Sequence, residues 1–286
     1  MNQKATVIEH FDRFALDGRW SRLYDEIRDP VAAHSFLMRK RRVEELSEPL
    51  VGPGSRVLDI GCGTGISAPY YIEKGCEYRG ADIAPRMVEQ ARTNVQSDQV
   101  EFSVGDVESG LDFPDGHFDL VIALGLVEYL DKLDAALDEM VRVVRPGGSI
   151  VVTVPNRNCV NYVATRCLGP IVSGASRLVR RLLRRPLEPH TVSHRRFRAR
   201  ALEQGFACRG CTKTGQAYYN LEVLFYPLFR AMPGLAYALK RRVERRQGTW
   251  MHVLATGYIL RCRKAEEAAA GAGKTVGRGQ EAEADA

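Results

Sequence analysis

The 286-residue sequence lacks an uninterrupted apolar run of the roughly 18 residues that would indicate a transmembrane helix. Its most apolar stretch, residues 218–239, is interrupted by Glu222, Arg230 and two prolines. A secretory signal is also lacking, because charges are spread through the first twenty residues and no apolar segment follows a basic start. These absences predict a cytoplasmic protein.

Cysteine is scarce as well, and its seven residues are an odd number scattered along the chain. That usage fits reduced thiols better than a disulfide framework. Cys208 and Cys211 form a C-x-x-C pair, but on a predicted strand they would point to opposite faces. No second pair stands at metal-binding spacing, so a zinc site is not predicted.

Acidic residues are almost missing from residues 157–200, which hold eleven arginines and only Glu188. Within that segment, SRLVRRLLRR places its apolar residues on one helical face and its arginines on the other: Leu178, Val179, Leu182 and Leu183 share the apolar face. One interpretation is an interfacial helix on anionic lipid. The other is a cap helix packed on the core with a solvated basic face. Nucleic acid is disfavoured, because no aromatic residues alternate with the arginines.

What the sequence does contain, between residues 51 and 156, is a regular alternation of strand and helix patterns, which is typical of a parallel sheet covered by helices. The predicted strands are SRVLDIG, EYRGADI, VEFSVGDV, HFDLVIALGL and SIVVTVPN, and the predicted helices are residues 66–74, PRMVEQARTNV and LDAALDEMVRVVR, the last stopped by PGG.

The rest of the chain is less regular. Residues 1–50 have apolar residues at helical spacing, RALEQGF predicts a helix ending at Gly205, and FACRGCTKT and HVLATGYILRCRK predict strands. The Ala-, Glu- and Gly-rich end predicts a disordered tail. We therefore divide the chain into an N-terminal helical cap (1–50), a core (51–156), a basic insertion or cap (157–200), C-terminal strands with a helical cap that complete the sheet (201–264) and the tail (265–286).

The first strand runs into a glycine-rich turn, VLDIGCGTG, in which Gly61, Gly63 and Gly65 let the backbone approach a ligand closely. A dinucleotide-binding turn would need its third glycine at the position of Ile66. Asp59 would also sit badly beside a pyrophosphate, whereas it suits a cation such as the ammonium of methionine. The alternative is an ordinary strand-to-helix turn.

Two more aspartates end the next two strands. Asp82 stands about 20 residues after Gly61, where a carboxylate can accept both ribose hydroxyls. Asp106 can accept an adenine amino group while Val107 packs on the ring. Each aspartate alone could be a helix N-cap. Asp59, Asp82 and Asp106 together are expected to line the crevice at the carboxyl ends of the strands.

These segments, with FDLVIALGLVEYL and RPGGSIVVTVPN, resemble the successive motifs of class I S-adenosylmethionine (SAM)-dependent methyltransferases over about residues 50–156. The resemblance implies a Rossmann-like seven-stranded α/β sheet whose last strand, HVLATGYILRCRK, is antiparallel, with a helical cap or insertion, and SAM as cofactor. It implies that the methionine part of SAM is held by Asp59, Gly61, Gly63 and Gly65. The ribose would be bound by Asp82, and the adenine by Ile83, Asp106 and Val107. The sulfonium would lie beside Ala123 and Leu124, at the end of the fourth strand.

Two narrower resemblances concern the flanks. TVPNRN, PHTVSHRRF and LEQGF resemble ubiquinone-pathway O-methyltransferases, whose insertion at this place touches membrane. Those enzymes carry a Glu-x-x-Glu-His metal motif after the fourth strand, whereas this chain has Gly125, Glu128 and Tyr129 there, so no metal is predicted. The N-terminal HFDRFALDGRWSRLYDE resembles magnesium-protoporphyrin methyltransferases.

A hydroxyl acceptor would usually need a general base. His190 and His194 follow the fifth strand and are expected to reach the crevice, although either could be a structural or surface histidine. Glu128 is the other candidate, with a role at a helix N-terminus as its alternative.

The sequence thus predicts a cytoplasmic SAM-dependent methyltransferase, acting at oxygen on a small-molecule or lipid-like acceptor, with peripheral contact to an anionic membrane as a further hypothesis. An RNA or protein methyltransferase is the alternative within the class. From other classes, a nucleotide-binding oxidoreductase and a non-catalytic SAM-binding protein remain as alternatives.

Overall fold

The computed structural model describes residues 3–16, 20, 30–156, 199–219, 255 and 257–266, with isolated positions between 232 and 242. His190, His194, nearly all of the basic segment and the tail beyond residue 266 lie outside this description. The predictions made for them stay predictions. Among the residues described, no helix combines the length and apolar character needed to cross a bilayer.

Strands and helices alternate through the core much as the sequence pattern predicts. Two short 3₁₀ helices, Glu48–Leu50 and Val127–Tyr129, lie in the connections. The helices are α1 (Gln3–Leu16), α2 (Pro30–Ser47), α3 (Ala68–Glu73), α4 (Pro85–Asn94), α5 (Leu133–Val143) and α6 (Ala199–Ala207), and the strands are β1 (Arg56–Ile60), β2 (Glu77–Asp82), β3 (Val100–Val104), β4 (Phe118–Ala123), β5 (Val144–Pro155), β6 (Cys211–Tyr219) and β7 (Gly257–Lys264).

The seven strands form one sheet in the order β3-β2-β1-β4-β5-β7-β6. Neighbouring strands from β3 to β5 run parallel, whereas β7 pairs antiparallel with both β5 and β6. The prediction of a Rossmann-like sheet with an antiparallel last strand is confirmed. The first five strands turn their carboxyl ends to the same edge, which is where open α/β sheets bind ligands.

Apolar side chains cover both faces of the sheet. On one face, Leu137 and Met140 of α5 and Phe206 of α6 are fully buried against the central strands. On the other, Val43 of α2 and Tyr71 of α3 join Ala91 and the opposite side chains of the same strands. Because successive strand residues point to opposite faces, the nearly continuous apolar runs of the sequence supply both layers.

Three regions differ from the sequence prediction in where an element begins or ends. Helix α5 ends at Val143, before Pro146, and β5 begins at once at Val144 with an irregular register rather than after the PGG turn. Helix α6 continues through Gly205 to Ala207. A Cβ on Gly205 would meet a methyl carbon of Leu137 at 2.9 Å, so this glycine allows close helix packing instead of ending the helix.

The third difference concerns the C-x-x-C pair. Strand β6 begins at Cys211 and not at Phe206, because Gly210, with φ of 75°, makes the turn that separates it from α6. The premise that both cysteines lie on one strand was therefore wrong. Cys208 is exposed in the turn, and Cys211 is buried at the start of the strand.

Helix α1 is held against α4 by polar as well as apolar contacts. Asp12 Oδ1 accepts a 2.9 Å hydrogen bond from the backbone N–H of Arg86, which satisfies a free donor at the start of α4. The Gln90 side-chain amide donates to the carbonyl of Ala15 at 2.7 Å. Phe11 packs on the small cluster below. This docking places α1 beside the carboxyl ends of the strands.

Candidate functional site

A pocket opens at the carboxyl ends of β1, β2 and β4, where open α/β sheets bind their ligands. The glycine-rich turn forms one wall, the loops after β3 and β4 form the next, and α1 closes the remaining side with Lys4, Val7 and Phe11. Trp20 also lines the pocket.

The glycine-rich turn contributes backbone to this wall. Gly61 and Gly63 line the pocket and have φ angles of 75° and 53°, which favour glycine. A Cβ on Gly63 would lie 3.2 Å from the indole nitrogen of Trp20. Gly65 acts differently, because a Cβ there would meet the ring of Phe102 at 2.9 Å. This third glycine therefore allows close packing behind the turn.

Asp82 lines the pocket at the end of β2. Its Oδ2 accepts from the N–H of Gly63 and its Oδ1 from the N–H of Ala84, each at 2.9 Å. Burial raises the pKa of Asp82, and these amide hydrogen bonds oppose that rise. The carboxylate is therefore fixed in orientation while acceptor capacity remains for a ligand's hydroxyls.

Asp59 lies deeper than the sequence suggested. It is 2% exposed, and Tyr78 Oη donates a 2.6 Å hydrogen bond to its Oδ2. Burial raises the pKa of Asp59 to about 7, against the partly opposing effect of this hydrogen bond. The residues that line the pocket include Ile60 and Gly61 but not Asp59, so its charge would act on a ligand from behind the turn.

Asp106 lines the pocket after β3 and accepts a hydrogen bond from a cationic side chain. Its Oδ2 accepts from Lys4 Nζ at 2.6 Å and from Ser109 Oγ at 2.7 Å, and its Oδ1 accepts from the N–H of Glu108 at 3.0 Å. Burial alone would raise the pKa of Asp106, but the hydrogen bonds from Lys4 and Ser109 hold it below its ordinary value. The carboxyl group is accordingly ionised at neutral pH.

The remaining predicted cofactor residues divide into two groups. Ile83, Val107 and Leu124 line the pocket and give it apolar surface beside the aspartates. Ala123 is fully buried at the end of β4, one residue below that surface.

A second polar group lies beyond Gly125, at the far end of the pocket from Asp106. The Arg39 guanidinium of α2 would touch a Cβ placed on Gly125, and it lies 5.0 Å from the ring centre of Phe36. Glu128 is 6% exposed, and its charge acts on both Tyr129 and Tyr219. Burial raises the pKa of Tyr219 to about 12, against hydrogen bonds to Thr153 and Arg39 that lower it.

Several site residues were not predicted from the sequence: Lys4, Phe11, Trp20 and Arg39. They lie in segments whose pattern indicates no more than amphipathic helix. Phe11 makes edge-on ring contacts with Trp20 at 5.7 Å and with Tyr129 at 5.1 Å, so aromatic rings cover the pocket between α1 and the loop after β4. The clustered aromatic residues of the N-terminal segment were the available signal.

The charge of the pocket distinguishes between ligand classes. Of the pocket-lining residues in the described part of the chain, only Lys4 is cationic, against four carboxylates: Asp82, Asp106, Glu108 and Asp131. Such a site attracts a cation and repels a pyrophosphate. SAM carries a sulfonium and an ammonium, so the residues present fit it. The sheet order is that of a Rossmann-like fold, and the pocket lies where such folds bind their ligands.

Comparison with known proteins gives the same result. Residues 58–152 match a family model described as a methyltransferase domain. The chain therefore carries a methyltransferase domain over residues 58–152, and the cofactor of that domain is SAM.

Similar proteins act on different acceptors. A ubiquinone biosynthesis O-methyltransferase of Alkalilimnicola ehrlichii is 30% identical over 125 residues, covering 43% of this chain and 51% of that protein. A phosphatidylethanolamine N-methyltransferase of Cereibacter sphaeroides is 35% identical over 131 residues, covering 44% and 60%. The chain spans about half the length of the curated relatives it matches.

A solved structure agrees over a longer range. Magnesium protoporphyrin IX methyltransferase from Synechocystis, with bound SAH, has a TM-score of 0.61 at 15% identity and covers 92% of this chain and 100% of its own. At that identity the likeness concerns the fold. It extends beyond the domain match to the helices on either side of the sheet.

Proposed function

We propose that the protein transfers a methyl group from SAM to an oxygen of a small-molecule or lipid-like acceptor. The observation that carries this proposal is the acidic pocket at the strand ends, with Asp82 held by the N–H groups of Gly63 and Ala84. Bound SAM would supply an electrophilic methyl group on a sulfonium. The protein's contribution is then to hold the acceptor in line with that methyl group and close to it.

In this proposal the methionine part lies over Gly61 and Gly63 with the charge of Asp59 behind it. Asp82 accepts from the ribose hydroxyls, and Asp106 accepts from the adenine amino group. Leu124 and Gly125 then flank the methyl group, since they follow β4 on the side away from Asp106.

The choice of oxygen rests on the charges near Gly125. The Arg39 guanidinium lies against Gly125, next to the proposed position of the methyl group. An acceptor that carries or develops negative charge on oxygen suits that position, because a guanidinium presents several donors to an oxyanion. An amine acceptor becomes cationic on methylation and would be disfavoured there.

Glu128 is the described candidate for a general base, because it is buried near the hydroxyls of Tyr129 and Tyr219. His190 and His194 remain proposed alternatives. A nucleotide-binding oxidoreductase is disfavoured by the carboxylates that line the pocket. An RNA or protein acceptor and a non-catalytic SAM-binding role are outcomes that the following experiment separates.

The test incubates the protein with methyl-labelled SAM and separated polar-metabolite, lipid, RNA and protein fractions. We expect label in the metabolite or lipid fraction and none with Asp82→Ala. Arg39→Gln should keep SAM binding and lose transfer. Label in RNA or protein would replace the proposed acceptor. SAM binding without transfer to any fraction would indicate a non-catalytic protein.

Activity should not need a divalent ion. Gly125 and Tyr129 stand where the related metal motif has ligands, and the Arg39 guanidinium lies against Gly125, where it would repel a cation. Turnover should be the same, within error, after exhaustive treatment with a chelator. Loss of turnover on chelation, with recovery on adding magnesium, would contradict this expectation.

Membrane contact is proposed for the basic segment, and it rests on the sequence pattern of SRLVRRLLRR. Each arginine near an anionic surface could contribute about 1 kcal/mol, an effect that salt screens. Wild-type protein should float with anionic vesicles at low salt and less at high salt. Leu182→Asp should weaken flotation further, whereas Leu16→Asp, a change at an exposed leucine of α1, should not. Equal flotation with neutral vesicles, or none with either, would refute the hypothesis.

A further inference from the structure

Lys4 lies at one end of the pocket, where its ammonium contacts two carboxylates. It is the second residue of α1, and its ammonium lies 2.6 Å from Asp106 Oδ2 and 2.8 Å from Glu108 Oε2. The Lys4 side chain is 26% exposed and lines the pocket. Neither the methyltransferase match, which begins at residue 58, nor any strand-end motif includes it.

The ammonium compensates a local excess of negative charge. Because Asp106 and Glu108 both contact one nitrogen, their carboxylates lie close to each other, and the ammonium between them offsets their mutual repulsion. The other charged residues that line the pocket, in the described part of the chain, are Asp82 at the end of β2 and Asp131 ahead of α5, both negative. The hydrogen bond from Lys4, together with those from Ser109 and the N–H of Glu108, thus holds the pKa of Asp106 below its ordinary value.

Lys4 also fixes which acceptor positions of Asp106 are in use. Oδ2 accepts from Lys4 and Ser109, and Oδ1 accepts from the N–H of Glu108. Since each carboxylate oxygen has about two acceptor positions, Oδ2 is filled and one position on Oδ1 remains. An ionised, fixed oxygen with one open acceptor position suits an N–H donor and repels a carbonyl oxygen.

We propose that Lys4 is a positioning residue of the cofactor site. By holding Asp106 ionised and oriented, it makes the pocket select a purine with a 6-amino group over one with a 6-oxo group. The inference rests on the proposed function only through the placement of adenine beside Asp106. Protonated Asp106 could instead donate to a 6-oxo group, so the selection depends on the charge state that Lys4 maintains.

The attachment of α1 does not depend on this residue. The Asp12 bond to the start of α4, the Gln90 bond to Ala15 and the ring contacts of Phe11 hold the helix two or more turns away. Removing a cation from the first turn of α1 is also favourable for the helix macrodipole. Lys4→Met should therefore leave the fold and the position of α1 intact.

The test compares S-adenosylhomocysteine with S-inosylhomocysteine, which differ at the purine 6-position. Binding is measured by calorimetry at pH 8 and pH 5.5 for wild type, Lys4→Met and Lys4→Arg. Arg13→Met, which removes an exposed ion pair to Glu9 on the same helix, is the matched control. We expect wild type and Arg13→Met to prefer the adenosyl ligand at both pH values, and Lys4→Arg to keep most of the preference.

Lys4→Met should lose about tenfold of the preference, corresponding to one hydrogen bond to a charged group, and any change with pH should be larger toward pH 5.5. Removing Lys4 removes a hydrogen bond that lowers the pKa of Asp106, so the ionised acceptor is lost at a higher pH than in wild type. Adding Glu108→Gln to Lys4→Met removes the competing carboxylate and should restore part of the preference.

Equal weakening of both ligands in Lys4→Met would overturn the proposal, because a merely structural role predicts that result. An unchanged preference would overturn it as well. If wild type binds neither ligand, the cofactor site itself is wrongly placed, and the proposed function fails together with this inference. A folding defect in Lys4→Met, detected by its thermal unfolding, would contradict the independence of α1, and the Lys4→Arg and Glu108→Gln variants then carry the comparison.

Discussion

Replacing Asp82 by alanine should weaken SAM binding by about two to four orders of magnitude. Two hydrogen bonds from ribose hydroxyls to a carboxylate would be lost, each contributing about 1.5–3 kcal/mol. With roughly 1.4 kcal/mol for each factor of ten in affinity, their sum gives that range. Calorimetry with SAM and with S-adenosylhomocysteine measures the loss directly.

Asparagine at position 82 should weaken SAM binding nearly as much as alanine, which makes the test more specific. Both oxygens of Asp82 accept from backbone N–H groups, those of Gly63 and Ala84. An asparagine amide would turn one NH₂ group toward one of these donors, so the turn and the ligand site would both be disturbed. A much smaller effect of asparagine than of alanine would show instead that a neutral acceptor oxygen at this position is enough.

Asp119→Ala is the matched control, because Asp119 also accepts a hydrogen bond from a backbone N–H group, at the opposite edge of the sheet. It accepts a 2.8 Å hydrogen bond from the backbone N–H of Arg56 and pairs with Arg145 at 2.6 Å. Its loss should lower the unfolding temperature without changing SAM affinity. Unchanged affinity in Asp82→Ala, or tighter binding of NADH than of SAM, would overturn the ribose assignment.

Most of the fold could be predicted because its signals are local. Apolar runs such as VLDI and DLVIA, separated by helical patterns, specify strands buried on both faces, and Pro85 marks the start of a helix. The prediction was wrong where a tertiary contact determines the end of an element. Gly205 resembles a helix stop, but the helix continues because its missing side chain makes room for Leu137.

The residues of the candidate site likewise include some that the sequence predicts and some that only the tertiary structure brings there. Gly63, Asp82 and Asp106 follow predicted strands, so their convergence at one edge follows from the topology. Lys4 lies 102 residues from Asp106 in sequence, and only the docking of α1 brings them together. The sequence pattern also could not predict the depth of Asp59, because strand periodicity assigns a residue to a face of the sheet but does not give its distance from a pocket.

That depth leads to the last prediction, a dependence of cofactor affinity on pH. Asp59 has a pKa of about 7 in the cofactor-free protein, and the ammonium of SAM should bind best when this carboxyl is ionised. Affinity should therefore rise with pH through this range. If only the ionised form binds, each pH unit below 7 lowers affinity by up to about tenfold. Measurements from pH 5.5 to 7.5 keep most of the ligand's ammonium protonated.

Asp59→Asn supplies a control with two effects of opposite sign. It should bind SAM more weakly than wild type at pH 7.5 and show a flatter pH profile, because the titrating charge is gone. Its folded state should nevertheless be more stable at pH 7.5. The folded pKa of Asp59 lies above its ordinary value of 3.8, so between those values the folded protein holds a proton that the unfolded chain releases, and rising pH destabilises the fold.

Asparagine keeps the volume and an oxygen acceptor for the Tyr78 hydroxyl while removing that pH-dependent cost. Thermal unfolding at pH 5 and pH 7.5 should show a smaller drop for Asp59→Asn than for wild type. Asp82 also has a raised pKa and contributes a drop of the same sign to both proteins, and its charge raises the pKa of Asp59, so the difference between them reports Asp59 together with its coupling to Asp82. Weaker binding together with higher stability would separate a ligand-directed charge from a structural one. A wild-type affinity that does not change with pH would place the ammonium of SAM away from Asp59.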